Sequence, residues 1–428
     1  MNGGLSMVEM KSGYKMTEVG VIPEDWEVCE LKNHLVLLTD YDANGSFADM
    51  ASNVVTTTGN GYAWYVRATD LEQQSSLSEV KYVDEKSYRF LRKSTLYGGE
   101  VLLAKRGEIG KVYYFQMKTK RATLAPNLYL LKLKDTINSY FLFSLFKSTF
   151  GQNLLKSINA STSLGAIYKD DVKGLNILIP PFEEQASIAT ALSDVDSLIS
   201  ALTKKIEKKK AIKQGLMQQL LTGKKRLPGF NDKWKSMLLG DIAEVKDGTH
   251  QTPKYVKSGG KPFYSVENVT ADDFKNVKHI SLEEHKALTS NYRIEKGDVL
   301  MTRIGSIGCC KYVDWDVDAS FYVSLALLKI NEKYDSKFIS YLSNIKSFKE
   351  EVMLNSLVFA IPQKINLGNI SLIKVYIPTS KAEQTAISNI LSDCDSEIAA
   401  LEEKRDKYKE IKQGMMQQLL TGKIRLIK

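Results

Sequence analysis

At 428 residues, 43% apolar and 25% charged, the chain reads as soluble, globular and long enough for two or more separate cores. No apolar run is long enough to span a membrane and no secretory leader is readable. Four cysteines without CxxC pairing and four histidines give neither a disulfide framework nor a zinc pattern, so a cytoplasmic protein is expected. The net charge of +9 thins out when partitioned: residues 1–182 carry 21 basic and 19 acidic side chains and residues 228–379 carry 20 and 18, +2 each, while 183–227 is +4 and the segment from 380 is +1. Local clustering, not total charge, has to carry any case for a polyanionic partner.

In chain order, residues 1–15 are expected to be flexible. Pro23-Glu-Asp-Trp26 then opens an apolar, polar-interrupted stretch. Glu100-Val-Leu-Leu-Ala-Lys-Arg-Gly-Glu-Ile-Gly-Lys111 predicts a strand ending in basic residues and a glycine turn, followed by a β-rich run over 112–115. Tyr140-Phe-Leu-Phe-Ser-Leu-Phe146 is helix-like. After the proline-bearing Ile179-Pro180-Pro181-Phe182, the residues Ile188, Leu192, Val195, Ile199, Leu202 and Ile206 step by alternating fours and threes, the heptad seam of a long helix packing on another helix. Gly223 is the expected left-handed cap, with basic residues at the negative end of the dipole. A helix over 184–221 would be about 57 Å long at 1.5 Å per residue.

The second half repeats the first. Asn231-Asp-Lys-Trp234 echoes the tryptophan motif, and Asp298-Val-Leu-Met-Thr-Arg-Ile-Gly-Ser-Ile-Gly-Cys309 echoes the strand and turn. Phe338-Ile-Ser-Tyr-Leu342 echoes the short helix, and Ile387, Leu391, Cys394, Ile398, Leu401, Arg405 and Tyr408 echo the seam. Ile212–Lys224 (IKQGLMQQLLTGK) and Ile411–Lys423 (IKQGMMQQLLTGK) are identical at twelve of thirteen positions, within a 44-position register holding 28 identities. A period of 199 residues is a duplicated half-molecule rather than a solenoid, whose units run roughly 20 to 50 residues. The fold expected is α+β: two tandem α/β domains separated and followed by long helices that pair as an antiparallel coiled coil, with a pseudo-two-fold internal repeat. The boundaries expected are 1–15, 16–182, 183–223 (helix), 224–379, 380–422 (helix) and a tail over 423–428. Glycine inside a helix costs roughly 1 kcal/mol relative to alanine. Its presence at both Gly215 and Gly414 is read as a close approach of backbones.

Catalytic motifs are missing. There is no GxxxxGK[ST], no GxGxxG opening a helix, no HExxH and no GxSxG. Ile179-Pro-Pro-Phe182 resembles the loop with which amino-methyltransferases grip a flipped base, but that chemistry needs an oxygen acceptor where Ile179 stands. The chain is therefore expected to hold no catalytic, cofactor or metal site. The residues suited to a polyanion gather in three clusters. Lys105, Arg106 and Lys111 flank the first glycine turn, with Asn127 nearby in sequence. Arg303, Ser306 and Lys311 hold the equivalent places in the second. Thr249, His250, Thr252, Lys254 and Tyr255 crowd the loop 247–255. Glycine lets backbone N–H groups approach phosphate, and arginine can bind guanine edges in bidentate fashion.

The twice-repeated Met-Gln-Gln-Leu-Leu-Thr-Gly-Lys helix end, the proline and Glu-Gln lead-ins at Pro181–Gln185 and Pro378–Gln384 and the whole-chain duplication resemble the specificity subunits of type I restriction-modification enzymes. Asp247-Gly-Thr-His250 with Pro262-Phe-Tyr-Ser-Val-Glu-Asn268 is similar to a recurring second-domain type of that family. The resemblance implies two target recognition domains, each reading one half of a bipartite, asymmetric site in double-stranded DNA. It also implies a helical spacer carrying two methyltransferase subunits, with restriction/translocase subunits joined through the complex. S-adenosylmethionine, ATP and Mg belong to those partners. Gln185, Gly215, Gln218, Gln384, Gly414 and Gln417 are the expected subunit-interface residues. The second lead-in is one residue longer and its seam turns polar at Arg405, so the two docking faces are expected to differ slightly. The competing reading is a coiled-coil scaffold without DNA sequence specificity.

Overall fold

The computed structural model describes residues 12–73, 75–107, 109–159, 165–357 and 359–427. Two compact units form. Unit 1 takes the chain up to Leu202 and again from Lys404 on; unit 2 is Thr203–Glu403. The division is not linear along the chain, because each long helix starts in one unit and ends in the other.

In unit 1, β1 (Leu35–Asp40), β2 (Val101–Ala104), β3 (Val112–Tyr114) and β4 (Leu128–Leu133) form an antiparallel sheet of order β3-β2-β4-β1. Successive side chains of a strand point to opposite faces. Val101, Leu103, Tyr129 and Leu131 accordingly enter one core with Phe141 and Phe146, while Leu102, Ala104, Leu128 and Leu130 enter a second core around Trp64 and Phe115. Burial on both faces explains why Val-Leu-Leu-Ala shows no alternation. The second core is closed by a five-stranded sheet in which Ala63–Val66 runs parallel to Ala122–Leu124.

Unit 2 repeats the plan. Strands β5 (Ala243–Asp247), β6 (Val299–Thr302), β7 (Cys310–Tyr312) and β8 (Leu325–Ile330) take the order β5-β8-β6-β7. Val299, Met301, Ala326 and Leu328 face one core, and Leu300, Leu325 and Leu327 face another.

The long helices are Phe182–Leu220 and Lys381–Leu419. Gly223 and Gly422, both at φ +69°, lie just beyond their ends in the left-handed region that favours glycine. The seam residues Ile188, Leu192, Leu202, Ile206, Ile387, Leu391 and Ile398 are buried. Pairing is antiparallel. In unit 1 Glu184 meets Arg425 while Asp196 meets Lys412, and in unit 2 Lys213 meets Asp395 while Lys210 meets Glu402.

The helix stripe serves two surfaces at once. Ile188 and Leu192 join their own unit's core, which Leu419 and Leu420 from the end of the second helix complete; Ile387 and Leu391 do the same in unit 2 with Leu220 and Leu221. Burying a leucine fully is worth roughly 1.5–3 kcal/mol. Each core therefore depends on a helix end supplied by the other repeat.

Two expectations are corrected. A Cβ built on Gly215 or Gly414 would meet no atom within 4 Å, so neither glycine marks a close approach of backbones inside this chain. The first strand begins before residue 16, inside the segment expected to be a flexible terminus: Tyr14–Thr17 pairs with Gly20–Pro23, and the Tyr14 hydroxyl donates to the Gly422 carbonyl at 2.9 Å. Residues 1–11 of that segment lie outside the described residues.

Candidate nucleic-acid interface

Strand β2 runs into a turn at 105–110 that glycine makes possible, with Gly107 at φ +90° and Gly110 at φ +94°. Gln152 clamps the turn from the helix Thr149–Ser157, its Nε2 donating to the Gly110 carbonyl at 2.8 Å. The backbone bond from Lys105 N to Asn127 O, 2.9 Å, sets Asn127 beside the turn, itself in the left-handed region at φ +71°. Lys105 Nζ points inward, 2.8 Å from Asp40 and 2.7 Å from Asp42, and Lys169 reaches the other Asp40 oxygen at 2.9 Å. Burial alone would raise the Asp40 pKa, but the two ammonium groups hold it below the ordinary aspartate value. Burial would likewise lower that of Lys105, and Asp40 and Asp42 outweigh it. Lys111 pairs with Glu72 at 3.0 Å. Arg106 and Asn127 are the exposed members.

Unit 2 builds the same device from different residues. Strand β6 leads into the turn 303–308, with Gly305 and Gly308 both at φ +84°. Arg303 is buried: its guanidinium lies 2.5 Å from Asp247 and donates to the Ile365 carbonyl at 3.3 Å. Asp247 also takes His250 Nε2 at 2.7 Å, so one carboxylate ties the loop 247–255 to the turn. Gly248 fits because a Cβ there would strike the Tyr322 backbone at 2.5 Å. Lys311 pairs with Asp272 at 2.5 Å and lies over Phe274 and Trp315. Ser306, His250, Thr252, Lys254 and Tyr255 are exposed and Thr249 is half-buried. The Lys278 ammonium stands 5.0 Å from the Tyr255 ring centre.

The structure thus separates the sequence-selected residues into two kinds. Lys105 and Arg303 are inward pins, the first tied to Asp40 and Asp42 and the second to Asp247 and the Ile365 carbonyl, which corrects the expectation that either presents its charge outward to a ligand. Arg106, Asn127, Ser306, His250, Thr252, Lys254 and Tyr255 form the outward surface around them. Sequence reasoning missed Asp40, because only the folded sheet shows that Asp40 and Asp247 each close the first strand of their four-stranded sheet.

The helix-borne residues divide similarly. Gln185 and Gln384 are buried and bonded within the chain, Gln185 to Asn138 N and Pro180 O, Gln384 to Asp335 N and Pro378 O. They are corrected from interface to scaffold. Gln218 and Gln417 are exposed. Gln218 lines a unit 2 groove of about 1590 Å³ with Lys210, Lys213, Met217, Lys346 and Leu354.

A lock that no motif announced closes each helix pair. Glu184, fully buried, accepts from Trp26 Nε1 at 2.9 Å and from Arg425 at 2.7 Å; Glu383, also fully buried, accepts from Arg226 at 2.6 Å and from Trp234 Nε1 at 3.4 Å. Each acid belongs to one repeat and its arginine to the other. Bidentate arginine is well suited to a buried carboxylate.

The family model described as "Type I restriction modification DNA specificity domain" matches this chain twice, over residues 23–214 and 231–413. The chain belongs to this family. Each matched stretch contains one of the pinned turns. Among specificity-domain proteins, the MjaX type I restriction enzyme specificity subunit of Methanocaldococcus jannaschii is 29% identical, over 97% of each chain. The MjaVIII specificity subunit of the same organism is 24% identical, over 95% of this chain and 94% of its own. In fold the chain is similar to a crystal structure of a type I restriction-modification S subunit from M. genitalium. That likeness has a TM-score of 0.61 at 16% identity and covers 92% of this chain and 96% of that one. No helix among the described residues is long and apolar enough to cross a membrane.

Proposed function

We propose that this member of the specificity-domain family is the DNA sequence-specificity subunit of a type I restriction-modification complex. Each unit reads one half of a bipartite, asymmetric site in duplex DNA, and the paired helices act as spacer between the readers. The observation that carries the reading is the duplicated specificity domain with an acid-pinned, glycine-built turn in each copy. Around those turns Arg106 and Asn127 in unit 1, and His250, Thr252, Lys254, Tyr255 and Ser306 in unit 2, offer donors and acceptors suited to phosphates and base edges. Linkage of the two readers supplies the affinity that each lacks alone.

In this reading the chain is a non-catalytic subunit. Two adenine-methylating subunits dock on the helix faces that include Gly215, Gln218, Gly414 and Gln417, and restriction/translocase subunits join through them. The partners carry S-adenosylmethionine, ATP and Mg. A helix glycine with open space above it suits a partner's backbone coming close, a role that the interior of this chain leaves unfilled.

Replacing residues 235–376 with another such domain changes one half-site and leaves the other intact, as genome-wide mapping of methylated adenine reads it. Alteration of both halves overturns the modular reading. A scaffold without DNA specificity would retain no duplex in a salt titration, with or without the modification subunits.

A further inference from the structure

In the unit 2 hairpin that Leu357 and Lys364 close, Phe359 is 98% exposed and Ile361 fully exposed, two bulky apolar side chains uncovered among the described residues. Leu357 N donates to Lys364 O at 2.8 Å across the hairpin, and Ala360 N to Leu357 O at 3.0 Å. The hairpin is fastened to the pinned turn, since Gly305 N donates to Gln363 O at 2.8 Å, Ile365 N to Arg303 O at 2.9 Å, and Ile304 bridges Lys364. The two apolar tips therefore project from a rigid attachment beside Ser306. Large exposed apolar groups held together on a surface mark a contact with something else.

Charge identifies the occupant. From Val352 to Ala382 the sequence contains no aspartate or glutamate, and Lys364 closes the hairpin itself. A stretch free of negative charge, next to a glycine turn with an exposed serine, suits a polyanion. Phe and Ile are among the side chains that wedge between base pairs and unstack them.

We infer that Phe359 and Ile361 form an apolar wedge that enters the base stack at the half-site read by unit 2. The inference rests on the DNA-reading function proposed above. Unit 1 has the same tether, Gly107 N to Gly165 O at 2.9 Å and a bridge between Arg106 and Ala166, but the stretch before Gly165 reads Ala160-Ser-Thr-Ser-Leu164.

The test uses the full chain assembled with its modification subunits. The probe is a duplex bearing the motif that the assembly methylates, with 2-aminopurine placed in turn at each position of both half-sites. Native protein is expected to raise fluorescence at a step of the unit 2 half-site. F359A/I361A is expected to abolish that signal and to weaken binding about tenfold, the scale of one lost stacking contact. The slope of affinity against salt should stay unchanged, because no charge is removed. Thermal midpoints should also match, since fully exposed side chains add little to the fold. Normal duplex affinity with no fluorescence change for the native protein overturns the wedge and leaves DNA reading intact. Loss of modification-subunit binding or self-association in F359A/I361A, with duplex affinity retained, overturns it in favour of a protein contact. Absence of duplex binding by the native assembly overturns the DNA reading itself.

Discussion

The two pinned turns and the two helix locks are both duplicated, yet they have diverged to different degrees. In the locks the chemistry is the same in both copies: a fully buried glutamate, a tryptophan N–H and a bidentate arginine from the other repeat. In the turns only the plan survives. Lysine answers two aspartates in unit 1, and arginine answers one aspartate that also holds a histidine in unit 2. A buried carboxylate tolerates few partners, because desolvating it is costly unless each oxygen is satisfied. Asp40 is buried under the same constraint, which Lys105 and Lys169 meet there; the rim residues around the turns are exposed and have no such constraint. The difference teaches where the duplicated chain was free to vary.

The sharpest way to break the comparison is at the locks. R226A leaves the fully buried Glu383 without its cation, and removing one partner of a buried pair typically costs about 3 kcal/mol or more. Denaturant unfolding of the full chain should show this as loss of unit 2. R425A should do the same to unit 1, since Arg425 also releases Asp25. Equal midpoints for R226A and the native chain would remove the lock from the account. Next in size, L192A and L391A each open a hole in a core, at about 2–5 kcal/mol, and should weaken different units in the same assay.

Acidity separates the units further. Asp40 has a folded-state pKa below the ordinary 3.8, so the stability it gives is present above that value and lost as pH falls through the folded one. Asp298 in unit 2 is shifted upward by burial, so its contribution is present below 3.8 and lost as pH rises through its folded value. As pH falls below 3.8, D40N should flatten the loss of unit 1 on acidification, followed by denaturant midpoints. An unchanged acid limb would sink the claim.

The smallest effect is the most pointed. G215A and G414A should each stabilise the isolated chain by about 1 kcal/mol, because helix propensity improves and no neighbour is struck. If they stabilise the chain but weaken capture of modification subunits, the glycines serve a partner. If capture is unaffected, that docking face is misplaced.

These outcomes trace what a sequence can and cannot reveal. The seam at Ile188, Leu192, Leu202 and Ile206 was legible because a helix repeats its environment every few residues. The α+β repeat was legible because Val-Leu-Leu-Ala and Val-Leu-Met-Thr sit before matching glycine turns. The lock between Glu184 and Arg425 was not, since its halves stand 241 residues apart and neither position has a periodic signature. The site was only partly readable: basic residues beside glycine marked the right turns, but nothing in sequence tells an inward lysine from an outward one. Asp40 and Asp247 decide that, and their register depends on the sheet. The glycines misled because a helix-interior glycine has the same appearance whether a backbone lies over it or open space does.

The bond from Tyr14 to Gly422, with the salt bridge from Asp25 to Arg425, has a consequence for synthesis. Unit 2 is one uninterrupted stretch, Thr203–Glu403, so every residue it needs has been translated before the residues from Lys404 on are made. Unit 1, begun first, must wait through the whole of its sibling for the helix end that fills its core and the arginine that neutralises Glu184. On the ribosome the earlier-born domain is therefore the last to be finished, and its unfilled groove is the surface most in need of protection until translation ends.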